Sequence, residues 1–305
     1  MDIDLVDPAL RPVMRRTPAL NIENRFVLWL LGGPVSRLAP GKRIEGVARR
    51  VVHDGAVHVR IYTPENANGS GLLWVHGGGL VIGSAKLDDR LCGETAHQLG
   101  VTVVSVDYRL APRHPFPAAI DDSHAAWQWM VTHAPELGLD ADRLAVGGQS
   151  AGGGLAACLA QRLHDDGVKV AAQWLFCPML DDRTAADRAH DATKHYVWNN
   201  RSNLVGWSSY LGTGPGAASV PAYAVAARRE DLAGLPPAWI YTSDIELFHD
   251  EDLEYARRLE TAGVDVTLEV VHAAPHGFEA WATDTPLAQQ LFSNARAWLG
   301  GKLAG

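Results

Sequence analysis

The hydrophobic pattern from residue 45 onward alternates between short apolar runs and longer amphipathic segments. The short runs predict seven strands, at 58–63, 72–76, 101–107, 143–147, 170–176, 238–242 and 265–271. Segments with the apolar spacing of helices lie between them, near 88–99, 118–133, 151–165, 250–262 and 286–299. Several strands are unbroken apolar runs, which is typical of a parallel sheet covered by helices on both faces. The pattern therefore predicts an α/β fold.

Two regions depart from this alternation. The first 45 residues are helix-like, and residues 181–221, rich in Trp, Tyr and small residues, interrupt the strand–helix order. In an open parallel sheet the ligand site lies at the carboxyl ends of the strands, and an insertion after a strand emerges on that side. We therefore predict an N-terminal cap segment, 1–45, and a main domain, 46–305, with a cap insertion at about 181–221.

Composition and charge narrow the class of protein. The chain has 305 residues, of which 47% are hydrophobic, so it can bury a large core. A formal charge of −8 without a basic cluster argues against a nucleic-acid partner. Three cysteines in apolar or helical stretches predict buried free thiols and a reducing compartment. The acidic start does not resemble a signal peptide, and the apolar run 26–35 is too short for a membrane span, so we predict a cytoplasmic protein.

Ser150 is the strongest candidate for a reactive side chain. It stands in the pattern G-x-S-x-G at 148–152, between the strand at 143–147 and a helix. Such a strand-to-helix turn lifts the serine hydroxyl clear of the sheet, and the helix amides stabilise a developing negative charge. A glycine-rich loop that binds phosphate is the alternative, but neither G-x-G-x-x-G nor a Walker lysine is present. Ser150 is therefore predicted to be a nucleophile.

A nucleophilic serine needs hydrogen-bond donors for the oxyanion and a base. The motif H-G-G-G at 76–79 ends an apolar strand, and its glycines can present backbone N–H groups to a carbonyl oxygen. We interpret His76 as structural. His276 follows the last strand in a turn and is the candidate base. His272 could form a metal pair with it, but Pro275 disfavours the helix that would align the two rings, so we predict no metal.

The base in turn needs a carboxylate that orients it. The loop 243–252, directly after the strand at 238–242, offers several acidic residues, and the pattern alone leaves the choice among them open. The resulting order of serine, acid and histidine is that of the α/β-hydrolase fold.

On these motifs the chain resembles the bacterial hormone-sensitive-lipase-like carboxylesterases, family IV, of the α/β-hydrolase superfamily. The resemblance runs over nearly the whole length. The family's H-G-G-G motif lies at 76–79, its D-Y-R-L-A-P-x-H-x-F-P-A motif at 107–118 and its G-D-S-A-G-G motif at 148–153. The acid loop and a final H-G-F follow in order. The main domain is then expected to be an α/β-hydrolase catalytic domain with a mostly parallel sheet.

The resemblance also implies the chemistry. Ser150 would attack an ester carbonyl, and His276 would take its proton and later return it to the leaving alcohol. The oxyanion would be held by the backbone N–H groups of Gly77, Gly78 and Ala151, and water would hydrolyse the acyl-enzyme. Neither a cofactor nor a metal is expected.

Three positions depart from the family's pattern. Anchoring the acid loop on residues 250–251 places Glu246 at the position of the acid, where aspartate is usual, and Asp244 is the rival. Gln149 stands where the family commonly has aspartate. Leu80 stands where an aromatic residue is common, and the smaller side chain would widen a pocket.

Apolar and aromatic residues of the two cap regions and the site loops are candidates for the substrate pocket. They are Leu80, Trp29, Trp207, Tyr210, Leu211 and Phe278. From the resemblance we expect short- to medium-chain esters as substrates, with an amidase or peptidase, or a non-catalytic small-ligand receptor, as alternatives. A homodimer through the pairing-prone edge strand 265–271 is a further prediction.

Overall fold

The computed structural model of the chain describes residues 1–16, 22–24, 27–28, 31 and 41–304. Its centre is an eight-stranded sheet with the order β1-β2-β4-β3-β5-β6-β7-β8. The pairs β1–β2 and β2–β4 are antiparallel, and the remaining pairs are parallel. The strands are β1 (Val47–Asp54), β2 (Val57–Pro64), β3 (Gly71–Val75), β4 (Thr102–Val106), β5 (Leu144–Gln149), β6 (Gln173–Phe176), β7 (Ala238–Ser243) and β8 (Val266–Val271).

Helices cover both faces of this sheet, so the predicted α/β fold is confirmed. Those in the described part of the chain are α1 (Arg11–Met14), α2 (Asp89–Leu99), α3 (Ala118–Thr132), α4 (Ala134–Leu137), α5 (Ala151–Asp165), α6 (Asp182–Ala186), α7 (Asn200–Leu211), α8 (His249–Thr261), α9 (Phe278–Trp281) and α10 (Pro286–Leu303). Of the region 1–45, only the residues given above are described. The region 181–221 contains α6 and α7.

Among the described strands, β1 is the one that the hydrophobic pattern did not predict. Its sequence carries two arginines, a histidine and an aspartate, and none of its residues is buried. It forms the edge of the sheet and pairs with β2 along its whole length, from Val47–Pro64 to Asp54–Val57. Backbone pairing rather than side-chain burial therefore holds this strand, which leaves no clear apolar signal in the sequence.

The core forms two clusters, one on each face of the sheet, because alternate residues of a strand point to opposite faces. Leu73 and Val75 of β3 belong to the cluster that α3, α5, α7 and α8 complete. Leu72 and Trp74 belong to the other, which α2, α9 and α10 complete. Strands β3 to β7 are buried on both faces and form a rigid layer. Because they run parallel, their carboxyl ends lie together at one edge of the sheet.

Strand β8 forms the other edge of the sheet. It pairs with β7 on one side, and Val270 is 45% exposed. The homodimer through residues 265–271 stays a prediction. Among the described helices, none combines the length and the apolar character needed to cross a bilayer.

We expect the folded protein not to react with Ellman's reagent. Cys92, Cys158 and Cys177 are free and at most 2% exposed, and burial raises the pKa of the Cys158 thiol to about 12. Because the thiolate is the reactive species, the thiols of the native protein should not react with the reagent. All three should react in guanidinium chloride. Rapid release of thionitrobenzoate from the native protein would contradict this expectation.

Candidate functional site

Ser150 lies at the carboxyl end of β5, in the turn that leads into α5. Its φ is +54° and its ψ −120°, a backbone conformation that side-chain-bearing residues rarely adopt. Its N–H donates to the carbonyl oxygen of Phe176 at 2.8 Å, and its carbonyl oxygen accepts from the N–H of Met179 at 2.9 Å. Hydrogen bonds to the segment that begins in β6 thus hold the strained turn in place.

The glycines around Ser150 have a steric explanation at Gly152. A Cβ added there would lie 2.1 Å from the carbonyl oxygen of Val75 and 2.4 Å from that of His76. Any side chain at this position would therefore collide with the backbone at the end of β3. Glycine lets α5 approach the H-G-G-G loop, so the nucleophile and that loop lie side by side.

His276 connects Ser150 to a carboxylate. Its Nε2 lies 2.8 Å from Ser150 Oγ, and its Nδ1 contacts Oε2 of Glu246. The other carboxylate oxygen of Glu246 accepts from Thr242 Oγ1 at 3.0 Å and from the N–H of Ser243 at 3.2 Å. The three side chains are at most 7% exposed, so this chain of hydrogen bonds is shielded from water.

Asp244, the rival acid, contacts the turn after β8. Its Oδ2 is 2.5 Å from Nδ1 of His272, and its Oδ1 accepts from the N–H of Ala273 at 2.7 Å. His272 is exposed, whereas His276 is buried. Asp244 therefore braces the turn after β8, and Glu246 is the acid that contacts His276.

The H-G-G-G loop passes beside the serine. A Cβ added to Gly77 would lie 3.6 Å from Cβ of Ser150, and Gly78 has a φ of +120°, which favours glycine. Within the described part of the chain, the N–H groups of Gly77, Gly78 and Ala151 have no acceptor. Backbone donors in the two adjacent loops are therefore available to an oxygen of a bound molecule.

The ring of His76 contacts the loop and a neighbouring tyrosine. Its Nδ1 lies 2.7 Å from the carbonyl oxygen of Gly77, and its ring stacks on Tyr108 at 4.2 Å between centroids. Burial lowers the pKa of His76, which favours the neutral ring.

Comparison with known proteins identifies the family. The family profile of the alpha/beta hydrolase fold matches residues 72–280. Esterase LipI of Mycobacterium tuberculosis is 35% identical over 242 residues, which cover 77% of this chain and 75% of that protein. The chain belongs to the α/β-hydrolase family.

Other proteins that are similar to this α/β-hydrolase have names that state an activity on esters. The ethyl acetate hydrolase of Pseudomonas putida is 36% identical over 231 residues, 72% of this chain and 70% of that protein. The solved structure of a bacterial heroin esterase has a TM-score of 0.90 at 35% identity and covers 99% of both chains. The resemblance to hormone-sensitive-lipase-like carboxylesterases is thereby confirmed. The protein is a carboxylic ester hydrolase.

Three of the predicted pocket residues belong to the core cluster on the face that carries α5 and α7, and a fourth packs against it. Trp207 and Tyr210 are buried on α7, Leu211 at its end is half-buried, and Leu80 follows the H-G-G-G loop. Helix α7 contacts that loop closely, since a Cβ at Gly206 would lie 2.7 Å from the carbonyl oxygen of Gly79. This region of 181–221 therefore packs on the loop beside Ser150.

The other two predicted pocket residues are placed differently. Phe278 is fully buried in the core cluster on the opposite face of the sheet, with its ring 6.1 Å from that of Tyr241. It anchors α9 and so supports the turn that carries His276. Trp29 lies outside the described residues.

Two further carboxylates near the site are buried, and the sequence motifs gave neither of them a role in it. Glu279 is fully buried and accepts a hydrogen bond from Nε2 of Gln149 at 2.5 Å. Asp252 is fully buried on α8, and burial together with the nearby Glu246 raises its pKa. An acidic residue directly after H-G-F was the available signal for Glu279. Asp252 lies in the helical pattern of α8, and this pattern does not show that its side chain is buried.

One group of atoms near the serine has the types that bind metals. Sγ of Cys177, a carboxylate oxygen of Glu246 and a ring nitrogen of His276 lie within 4.8 Å of one another. However, burial raises the pKa of the Cys177 thiol well above its usual value, and metals bind the thiolate. The carboxylate and the ring already bond each other, so the arrangement suits proton transfer better than metal binding.

Proposed function

We propose that the protein is a serine carboxylesterase in which Ser150, His276 and Glu246 form the catalytic triad. The observation that carries this proposal is the continuous contact from Ser150 Oγ through both nitrogens of His276 to Glu246. A serine activated in this way is the nucleophile of acyl transfer, and the acid sets the tautomer in which Nε2 can accept the proton.

The proposed reaction has two halves. Ser150 Oγ bonds to the carbonyl carbon of the ester, and its proton passes to Nε2 of His276. As the tetrahedral intermediate collapses, the bond to the alcohol oxygen breaks and that oxygen takes the proton from Nε2. Water then attacks the acyl-enzyme by the same route and releases the carboxylic acid. Glu246 stabilises the imidazolium in both halves.

The N–H groups of Gly77, Gly78 and Ala151 are proposed to form the oxyanion hole. Their lack of acceptors among the described residues and the position of Gly77 next to Ser150 support this role. Donors fixed by the backbone need no reorganisation when the negative charge forms, and losing one in comparable sites costs about 3 kcal/mol.

A phosphorylation experiment tests the assignment of the nucleophile. Diethyl p-nitrophenyl phosphate should release one equivalent of p-nitrophenol and leave one diethylphosphoryl group, which peptide mass spectrometry should locate on Ser150. Without the general base the reaction should slow strongly, so His276→Ala is the companion variant. A modification on any other residue would refute the assignment.

The cap is proposed to be formed by the regions 1–45 and 181–221, and to limit the acyl chain to short or medium length. The contact of α7 with Gly79 supports this, because Trp207, Tyr210 and Leu211 then lie near the site. We expect kcat/KM in a p-nitrophenyl series from acetate to palmitate to peak at short chains. A peak at palmitate would refute this limit, and faster turnover of the matched anilides would favour the amidase alternative.

A further inference from the structure

Glu279 is a buried carboxylate that the proposed proton transfer does not use. It belongs to α9, three residues after His276, and its side chain is fully buried. Gln149 Nε2 donates to its Oε1 at 2.5 Å, and the hydroxyl of Tyr241 donates to its Oε2. Both carboxylate oxygens accept from neutral donors, which is the arrangement of an ionised carboxyl group.

The hydrogen bond from Gln149 joins the two loops of the site. Gln149 directly precedes Ser150, and Glu279 follows His276 closely in the chain. The loops also touch, since a Cβ added to Gly277 would lie 3.5 Å from Gln149 Nε2. In the pattern of the family, the acidic residue commonly stands at position 149, whereas here the carboxylate stands on the histidine side of the contact.

Within the part of the chain that the structure describes, the charge of Glu279 has no permanent cationic partner. Among the described residues, no lysine or arginine forms a hydrogen bond or an ion pair with it, and a buried carboxylate without such a partner is costly. Burial raises the pKa of Glu279, while the bonds from Tyr241 and Gln149 and a positive charge on His276 lower it. The compensating positive charge therefore arises when His276 takes up the proton of the serine.

We infer that Glu279 is a positioning residue that holds the nucleophile loop against the histidine loop and stabilises the imidazolium of His276. The inference rests on the proposed mechanism. The imidazolium forms as His276 takes up the proton of Ser150, so this stabilisation acts on the transition state and therefore on kcat rather than on KM.

Other titratable groups face Glu279 and His276. Tyr241 and Cys177 are neutral at working pH, because burial raises the pKa of each well above its usual value. Burial also raises the pKa of Asp88 to about 7, with a contribution from Glu279. Glu246 contacts His276 directly, and Asp252 lies near Glu246. A pH profile must therefore separate the effect of Glu279 from that of Asp88.

The test is the pH profile of Glu279→Gln with p-nitrophenyl butyrate. Loss of the negative charge makes His276 release its proton more readily, so the acid limb of kcat/KM should move to lower pH by about one unit. We expect kcat to fall about tenfold, the factor that corresponds to one pH unit, with KM within about twofold of the wild type. The same shift should appear in an Asp88→Asn background.

Three further variants separate charge from structure. Glu279→Asp keeps the carboxylate and should restore the acid limb toward the wild type. Glu269→Gln is the matched control, because Glu269 is a half-buried glutamate on β8 that bonds Asn294, and its profile should be unchanged. If Glu279→Gln does not fold, the exchange Gln149→Glu/Glu279→Gln moves the carboxylate across the same hydrogen bond and should keep the wild-type acid limb.

A Glu279→Gln profile that superimposes on the wild type would overturn the inference. So would a fall in kcat without a shift of the acid limb, since a purely structural role predicts that result. The proposed mechanism is judged separately, by the phosphoryl group on Ser150 of the wild-type protein.

Discussion

Ser150→Ala should lower kcat/KM for p-nitrophenyl butyrate by about 10⁴-fold or more, to the level left by binding and the oxyanion donors. Alanine lacks the oxygen that attacks the carbonyl carbon. The 2.8 Å contact between this oxygen and Nε2 of His276 is lost with it. The residue keeps a Cβ, so the strained turn should survive. The measurement is an initial-rate series under conditions where the wild-type reaction is linear.

A buried serine outside the site provides the control for this variant. Ser123 on α3 is fully buried and its hydroxyl donates to the carbonyl oxygen of Ala119 at 2.8 Å. Ser123→Ala should keep kcat/KM within about twofold, whatever its modest effect on stability. Comparable residual activity in Ser150→Ala and in the wild type would exclude Ser150 as the nucleophile.

Glu246→Gln should lower kcat by about 10³- to 10⁴-fold with a small change in KM. The amide is nearly the same size, but it can turn its NH₂ group toward Nδ1 of His276, which fixes the wrong tautomer and removes the charge that stabilises the imidazolium. Thr242 and Ser243 would still bond the remaining oxygen, so the loop should stay in place. Steady-state kinetics near neutral pH measure the effect.

Asp244→Asn is the matched variant for that experiment. Asn keeps an oxygen that can accept from the N–H of Ala273, and Asp244 contacts the exposed His272 instead of His276. Its kcat should therefore stay within about threefold of the wild type. The reverse result, with a severe loss in Asp244→Asn and little effect in Glu246→Gln, would reassign the acid.

The hydrophobic pattern was most informative where burial is complete. Strands β3 to β7 are buried on both faces, so their unbroken apolar runs were visible in the sequence. Strand β1 was missed because backbone pairing with β2 holds its polar residues at the edge of the sheet. A pattern of side chains reports burial, and it reports strand pairing only where pairing and burial coincide.

The motifs pointed to Ser150 and His276 for a similar reason. Both stand in turns that follow strands, where a glycine or a proline marks the backbone geometry. No such mark distinguishes Glu246 from Asp244, which are two residues apart in one loop. Their roles separate through contacts with residues about thirty positions later in the chain, His276 for one and His272 for the other.

The sequence by itself determined the fold class, the order of the site elements and the class of enzyme, because these follow from local periodicity and from short motifs. The tertiary structure decided which carboxylate contacts His276, on which face of the sheet Phe278 lies, and that Glu279 bonds Gln149. Each of these depends on where two distant loops meet, and that distance is set by the packing of the whole sheet and its helices.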